Sequence, residues 1–373
     1  MKKLILIGSL SLLATSVQAE LRINGFANLI GGITSSDDSM YGYDDDFSFT
    51  SESLFAVQVS GDINSKMTAT GQIVARGKND YEPDFEWAYI TYQATDNLSV
   101  SAGRIRQPLF RYSTSSDVGY SYHWVNSPRV IYDVPTQNMD GVRFDYSGYS
   151  GDWEYNMQLG LGSFSGDFLG NKLAADNLLI ASAELSRDWF KVRGVYGVTK
   201  VSTTGPELTM ALDVIRSLGL PEFANDLASD KDTGTFTGVG MEVDKFDWFI
   251  MAEYTITEAK ETFVPKTVSY YLSAGMRAGK WTPSVTYEKK DSANQPKFTD
   301  RLIGLPAEPL AIATQIGVGL QLGSMEEYSV TSVGVRYDLD TNVALKADVS
   351  KRSDDLDDTR DATAVRFAIN YIF

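Results

Sequence analysis

Residues 343–350 read Val343-Ala344-Leu345-Lys346-Ala347-Asp348-Val349-Ser350, and the chain ends Val365-Arg366-Phe367-Ala368-Ile369-Asn370-Tyr371-Ile372-Phe373. In the first stretch Val343, Leu345, Ala347 and Val349 alternate with Lys346, Asp348 and Ser350; in the second Val365, Phe367, Ile369, Tyr371 and Phe373 alternate with Arg366 and Asn370. Successive side chains of a strand point to opposite faces, so each segment has one apolar and one polar side. Further upstream, Phe190, Val192, Gly194, Tyr196 and Val198 oppose Lys191, Arg193 and Thr199 in the same way. A soluble sandwich and a membrane barrel both produce this alternation. Periodicity by itself does not separate them.

The connections do. Sixteen strands are predicted, at 21–31, 52–60, 67–76, 84–94, 98–106, 139–147, 152–162, 177–186, 189–200, 233–243, 247–258, 267–278, 281–290, 327–337, 342–351 and 361–373. After even-numbered strands the turns are tight, as at Thr95-Asp96-Asn97, Arg187-Asp188 and Gly279-Lys280. After odd-numbered strands most connections are longer, and three of them, 107–138, 201–232 and 291–326, are the longest. Short turns at one rim and long loops at the other mark a spanning barrel. The expected fold is therefore all-β: a transmembrane, antiparallel, up-and-down barrel with short periplasmic turns and long extracellular loops. Two long loops carry helical patches, Glu207 to Leu218, which ends at Gly219 and Pro221, and the weaker Leu310 to Leu322. Asp37, Asp38, Asp44, Asp45 and Asp46 in the first loop, with Asp354, Asp355, Asp357 and Asp358 in the last, read as a solvated rim.

The rest of the composition fits an exported barrel. Met1-Lys2-Lys3, an apolar run to Ala14 and Val17-Gln18-Ala19 form a secretory signal peptide over residues 1–19, leaving 20–373 as a single barrel domain. Formal net charge is −16, which argues against nucleic acid, because phosphate binding needs a clustered basic surface. Cysteine is absent, excluding disulfides and thiolate chemistry, and a single histidine, His123, excludes a His-rich metal site. No cofactor is expected. Tyr at 20, Phe at 18 and Gly at 31 supply the rings and bends that an outer-membrane barrel uses.

The stretch Phe85 to Tyr146 resembles the Gram-negative general porins, which are trimeric 16-stranded barrels. It runs Phe85-Glu86-Trp87-Ala88-Tyr89-Ile90-Thr91-Tyr92, turns at Thr95-Asp96-Asn97, and continues Leu98 to Gly103-Arg104. A long loop follows, and strand resumes at Asp140-Gly141-Val142-Arg143-Phe144. In that family the third loop folds into the barrel and narrows it, which implies a constriction loop at 107–138 here. The terminal Phe367, Ile369, Tyr371 and Phe373 are similar to the strand signal that barrel-assembly machinery recognises. The resemblance further implies a homotrimer in outer-membrane lipid and lipopolysaccharide, passing small hydrophilic solutes.

A channel of this kind needs fixed charges of both signs at its narrow point. Polar-face cations available for the lumen are Arg22, Arg76, Arg143, Lys191, Arg193, Arg336, Lys346 and Arg366. By resemblance Arg104 joins Arg22, Arg76 and Arg143 on the basic side of the constriction, opposed by Asp117 or Asp133 of the loop. Simple alternation, however, puts Arg104 on the face of Leu98 and Val100. A bulge at Gly103 is expected to turn it inward; without one, Arg104 and Arg106 would meet lipopolysaccharide phosphates or a neighbouring subunit at the outer rim. Arg111, Tyr112, Trp124 and Arg129 are candidates for binding an anion or a sugar, with loop packing as the plainer role.

The functional expectation is passive diffusion through a charge-lined pore. The alternative is a channel selective for an anion such as phosphate, or for sugars. A barrel enzyme is the rival from another class, and a nucleophile–histidine arrangement would depend on His123 alone.

Overall fold

The structure, a computed structural model, describes residues 21–35, 40–168, 170–292 and 295–373. The segment 1–19, expected to be a signal peptide, and the pair Asp37 and Asp38 lie outside the described residues. Sixteen antiparallel strands close into one barrel, each hydrogen-bonded to its sequence neighbours, with β1 (Leu21–Thr34) pairing β16 (Ala362–Ile372). Between them run β2 (Leu54–Asn64), β3 (Met67–Arg76), β4 (Pro83–Gln93), β5 (Leu98–Arg106), β6 (Asn138–Ser150), β7 (Trp153–Phe168) and β8 (Asn171–Arg187). The second half comprises β9 (Phe190–Thr204), β10 (Ser229–Asp244), β11 (Trp248–Ala259), β12 (Thr267–Met276), β13 (Trp281–Asp291), β14 (Glu327–Asp340) and β15 (Val343–Asp354). Closure leaves no sheet edge, so each strand bonds its backbone on both sides, as hydrocarbon surroundings demand.

The alternation is resolved as expected. In β15 and β16, Val349, Phe367, Ile369 and Tyr371 are exposed on the outer surface, while Lys346, Asp348, Ser350, Arg366 and Asn370 are buried on the inner one. Turns after even-numbered strands are two to four residues long, as at 65–66, 151–152, 188–189 and 277–280. Of the six tryptophans, Trp153, Trp189, Trp248 and Trp281 all stand in or beside these turns. That forms an interfacial aromatic band on the short-turn rim.

Two expectations need correction. The connection between the seventh and eighth strands is no long loop, because Phe168 pairs with Asn171 and the two strands run on as a tall hairpin. Glycine and small polar residues in that stretch read as loop, yet they alternate well enough to continue the ladder. In addition, β9 and β10 extend to Thr204 and from Ser229, which shortens the loop expected at 201–232. That loop holds helices Pro206–Ser217 and Pro221–Leu227. The 292–326 loop is helical from Ala307 to Gly323, and their apolar faces share a core with Phe263.

Candidate channel constriction

β5, with 9 residues, is the shortest strand of the wall, and β3 and β12 have 10 each. From the end of β5 the loop 107–137 turns into the barrel rather than outward. At Gly119 it meets β1 and β16, where a Cβ would stand 2.2 Å from Asn370 Nδ2 and 2.6 Å from Asn28 Oδ1. Only glycine lets the backbone approach that closely. Asn28 Nδ2 donates to Asp117 O at 2.8 Å. Before and after that point the loop lies against β11–β13, where Phe110, Tyr122, Trp124, Val130, Ile131 and Tyr132 pack on Phe249, Met251 and Tyr271.

Four of the eight wall cations predicted from alternation, Arg76, Arg193, Arg336 and Lys346, bond this loop. Arg193 donates to Pro108 O, Arg336 Nη1 to Tyr122 O at 2.9 Å, and Lys346 Nζ to Trp124 O at 2.7 Å and to Gly119 O. Arg366 bonds Asp348 at 2.7 Å and Glu52 at 3.1 Å, and Arg129 lies 3.4 Å from the same Glu52. Glu52 is buried, which would raise its carboxyl, but Arg366 and Arg129 outweigh this and hold it below the usual range. Lys191 is 3.8 Å from Glu242, and Arg22 bonds Asp62 at 2.8 Å near the short-turn rim, away from the loop.

The remaining loop candidates are held by protein partners, and Arg129 and Arg111 also line cavities. Trp124 is buried, and its Nε1 donates to Thr286 Oγ1 at 2.9 Å. Tyr112 stacks edge-on with Trp124, Arg111 bonds Glu242 at 2.8 Å, and Arg129 stands over the Tyr41 ring at 5.3 Å.

Where the inserted loop meets β3–β5, the ion pairs join a different set of charges from that expected. Arg76 bonds Glu86 at 2.6 Å and Asp117 at 2.9 Å, while Arg106 bonds Glu86 at 3.0 Å and Asp117 at 2.8 Å. Arg143 supports the group, bonding Asp145 at 3.0 Å and donating to Arg106 O at 3.1 Å. Asp117 is buried, which alone would raise its carboxyl, yet Arg76 and Arg106 hold it well below the ordinary range. Asp133 lines the adjoining cavity but takes part in none of the described ion pairs.

Arg104 is not in this group. β5 pairs with β4 and β6 without a register shift, so Gly103 makes no bulge, although its φ of +132° and the Ala88 carbonyl 2.3 Å from a Cβ there require glycine. Arg104 stays on the outward face and bonds the exposed Asp140 at 3.0 Å. The bulge falls one strand earlier. Gln72 pairs with Trp87 and Ile73 with Phe85, leaving Glu86 without a β3 partner and turned inward. Arg106, at the strand end where alternation lapses, turns inward too. Sequence reasoning missed both. The signal was present, since each carries a charge in a row that otherwise faces lipid.

Two polar cavities lie on either side of this group. One, of about 320 Å³, is bounded by the ends of β1–β5, the first loop and the inserted loop. The other, of about 170 Å³, reaches Asn156, Gln158, Ser182 and Glu184 on β7 and β8. Arg106 lines both.

His123 is buried, packed on Trp124 and Phe249, and hydrogen-bonded to Ser273 Oγ at 3.0 Å. Ser273 is itself fully buried. Burial, then the charges of Lys346, Arg336 and Arg277, push the imidazole well below its ordinary value. Among the described residues no group of His, Cys, Asp and Glu could hold a metal ion.

A closed barrel of sixteen strands, apolar outside, polar inside and with loops sorted by rim, is a bacterial outer-membrane β-barrel. No family model matches the chain, and no curated protein matches it. Among solved structures it is similar to the outer membrane channel DcaP of Acinetobacter baumannii (TM-score 0.60, 11% identity, 95% of this chain and 97% of that one). It is similar to the anion-selective porin from Comamonas acidovorans (TM-score 0.60, 10% identity, 95% and 100%). Salmonella typhi OmpF is a third (TM-score 0.56, 13% identity, 95% and 97%). At these identities the likeness is one of fold.

Proposed function

We propose that the chain is a porin, a non-enzymatic channel through which small hydrophilic solutes and ions diffuse passively across the outer membrane. The observation that carries this reading is the pair of polar cavities meeting at Arg106 inside a wall whose apolar rows face outward. Residues 1–19 act as the export signal and 20–373 as one barrel domain that assembles as a homotrimer. The exposed Phe367, Ile369, Tyr371 and Phe373 serve recognition by the assembly machinery, and the outer wall contacts lipid and lipopolysaccharide. A hydrolytic role for His123 finds no support, because its serine partner is closed to solvent and its charged neighbours are cations.

Selectivity for phosphate is the less favoured alternative. Arg193, Arg336 and Lys346, wall cations that an anion could have used, are occupied by carbonyls of the inserted loop. Purified protein added to a planar bilayer should give stepwise conductance increases, and proteoliposomes should swell in small sugars. Intact, folded protein that inserts without conductance would contradict the reading.

A further inference from the structure

The cavity of about 320 Å³ is lined by charges of both signs, and most of them already have partners. Arg76 and Arg106 pair with Glu86 and Asp117. Glu52 is buried, with Arg366 Nη1 donating to both its oxygens and Asn126 Nδ2 to one of them. Three charges of the lining are left: Arg129, Asp133 and Lys78. Arg129 lies 3.4 Å from Glu52 and 5.3 Å from the centre of the Tyr41 ring, contacts that place its guanidinium. Among the described residues it donates no side-chain hydrogen bond, and 31% of its side chain is accessible. Its planar fork of donors therefore stands ready for a carboxylate. Asp133 is exposed and belongs to no ion pair among the described residues. Lys78, exposed on the β3–β4 connection, is unpaired in the same sense and adds one further cation to the lining.

Arg129 and Asp133 stand one helical turn apart. Asp133 N donates to Arg129 O at 3.0 Å, closing the short helix Arg129–Tyr132. Side chains at this spacing start from Cβ atoms roughly 5–6 Å apart, and opposite charges there ordinarily pair with each other. These two do not, because Glu52 and Tyr41 draw Arg129 aside. One turn of the inserted loop thus brings an accessible cation and an accessible anion to the same cavity. A simple ion attracted by one is repelled by the other, and a sugar brings no charge to either. A zwitterion is attracted by both.

We propose that this cavity binds small α-amino acids as zwitterions, the carboxylate on the Arg129 guanidinium and the ammonium on the Asp133 carboxylate. The proposal rests on the porin reading and names a substrate class for it. With a contact of about 2.7–2.9 Å at each end, such a solute bridges two charges that stand too far apart to pair directly. The cavity volume is at the lower end of small-molecule sites, which suits a solute of this size. Arg129 and Asp133 are then the specificity-determining residues.

The test uses the full mature chain in planar bilayers, with three solutes of nearly equal size. At about pH 6 alanine is a zwitterion, lactate carries only the carboxylate charge, and alaninamide only the ammonium. In about 0.15 M potassium chloride the Debye length is roughly 8 Å, which leaves attraction within the cavity largely unscreened. Alanine should lower the current in a concentration-dependent way, at concentrations about two- to fivefold below those of either analogue, since an accessible ion pair contributes up to about that factor. Arg129→Gln should bring alanine to the level of alaninamide, and Asp133→Asn should bring it to the level of lactate. Lactate or alaninamide acting as strongly as alanine, or current indifferent to alanine, overturns the proposal while leaving the porin reading intact. Absence of conductance removes both. The wild-type comparison of the three solutes stands even if a variant does not fold, which heat-modifiable gel mobility reports.

Discussion

Arg106 Nη2 donates to Asp117 Oδ2 at 2.8 Å, tying the inserted loop back to the strand from which it departs. The bond spans only eleven residues of sequence, yet it lets the loop cross the barrel and return with its tip fixed. Removing the carboxylate should free that tip. Asp117→Asn leaves Arg76 and Arg106 with Glu86 alone, and breaking a largely buried pair in this way costs about 3 kcal/mol. The expected outcome is a larger, noisier single-channel current and a lower unfolding temperature. An unchanged current would place the clamp outside the conducting path.

The same carboxylate fixes a pH dependence. Asp117 is held well below its unfolded value of roughly 3.9. Its stabilising contribution is therefore complete above that value and is lost only as pH falls through the lower folded one. The stability gap between wild type and Asp117→Asn should be constant from pH 7 to about pH 4 and close below it. Chemical denaturation of the two proteins across that range measures the gap. Closure already near pH 6 would contradict the assignment.

Lys346→Met should loosen the loop at its far end. Lys346 Nζ donates to Trp124 O and Gly119 O, and each buried carbonyl left without a donor costs about 1–3 kcal/mol. Trypsin should then cut the folded variant at Arg111 or Arg129 and should leave both sites intact in the wild type.

Phe373 stacks on Phe55 at 6.0 Å and Tyr371 at 5.6 Å, where β1 and β16 close the barrel. Phe373→Ala should reduce the amount of assembled barrel in cells several-fold while leaving refolding into detergent nearly intact. Equal loss in both settings would make the residue structural rather than a recognition signal.

The sequence carried the barrel because two independent periodicities agreed. The apolar rows, such as Val343, Leu345, Ala347 and Val349, gave the faces, and the short turns gave the rims. The constriction was less legible for a physical reason. Alternation holds only while a strand is regular, and Glu86 sits on a bulge whereas Arg106 sits at a strand end. Both are places where the rule stops applying. Arg104 obeyed alternation and faces outward, and the bulge that would have turned it belongs to the neighbouring strand. Glu52 reads in sequence as the start of the second strand, which begins instead at Leu54, and only the fold brings its side chain to Arg366. Lys346 and Arg336 were placed on the correct face, but their partners are backbone carbonyls of a loop whose path no local signal records.

The most direct test of the outward-apolar, inward-wet wall uses neighbouring residues of one strand. Gln158 on β7 lines the cavity of about 170 Å³ inside the barrel, whereas Leu159 is exposed on the outer surface. The chain has no cysteine, so Gln158→Cys and Leu159→Cys can be labelled singly. In lipid, a membrane-impermeant thiol reagent should modify the first and spare the second, with a lipid-soluble quencher showing the reverse. Equal aqueous labelling at both positions, or labelling of Leu159→Cys alone, would contradict the account.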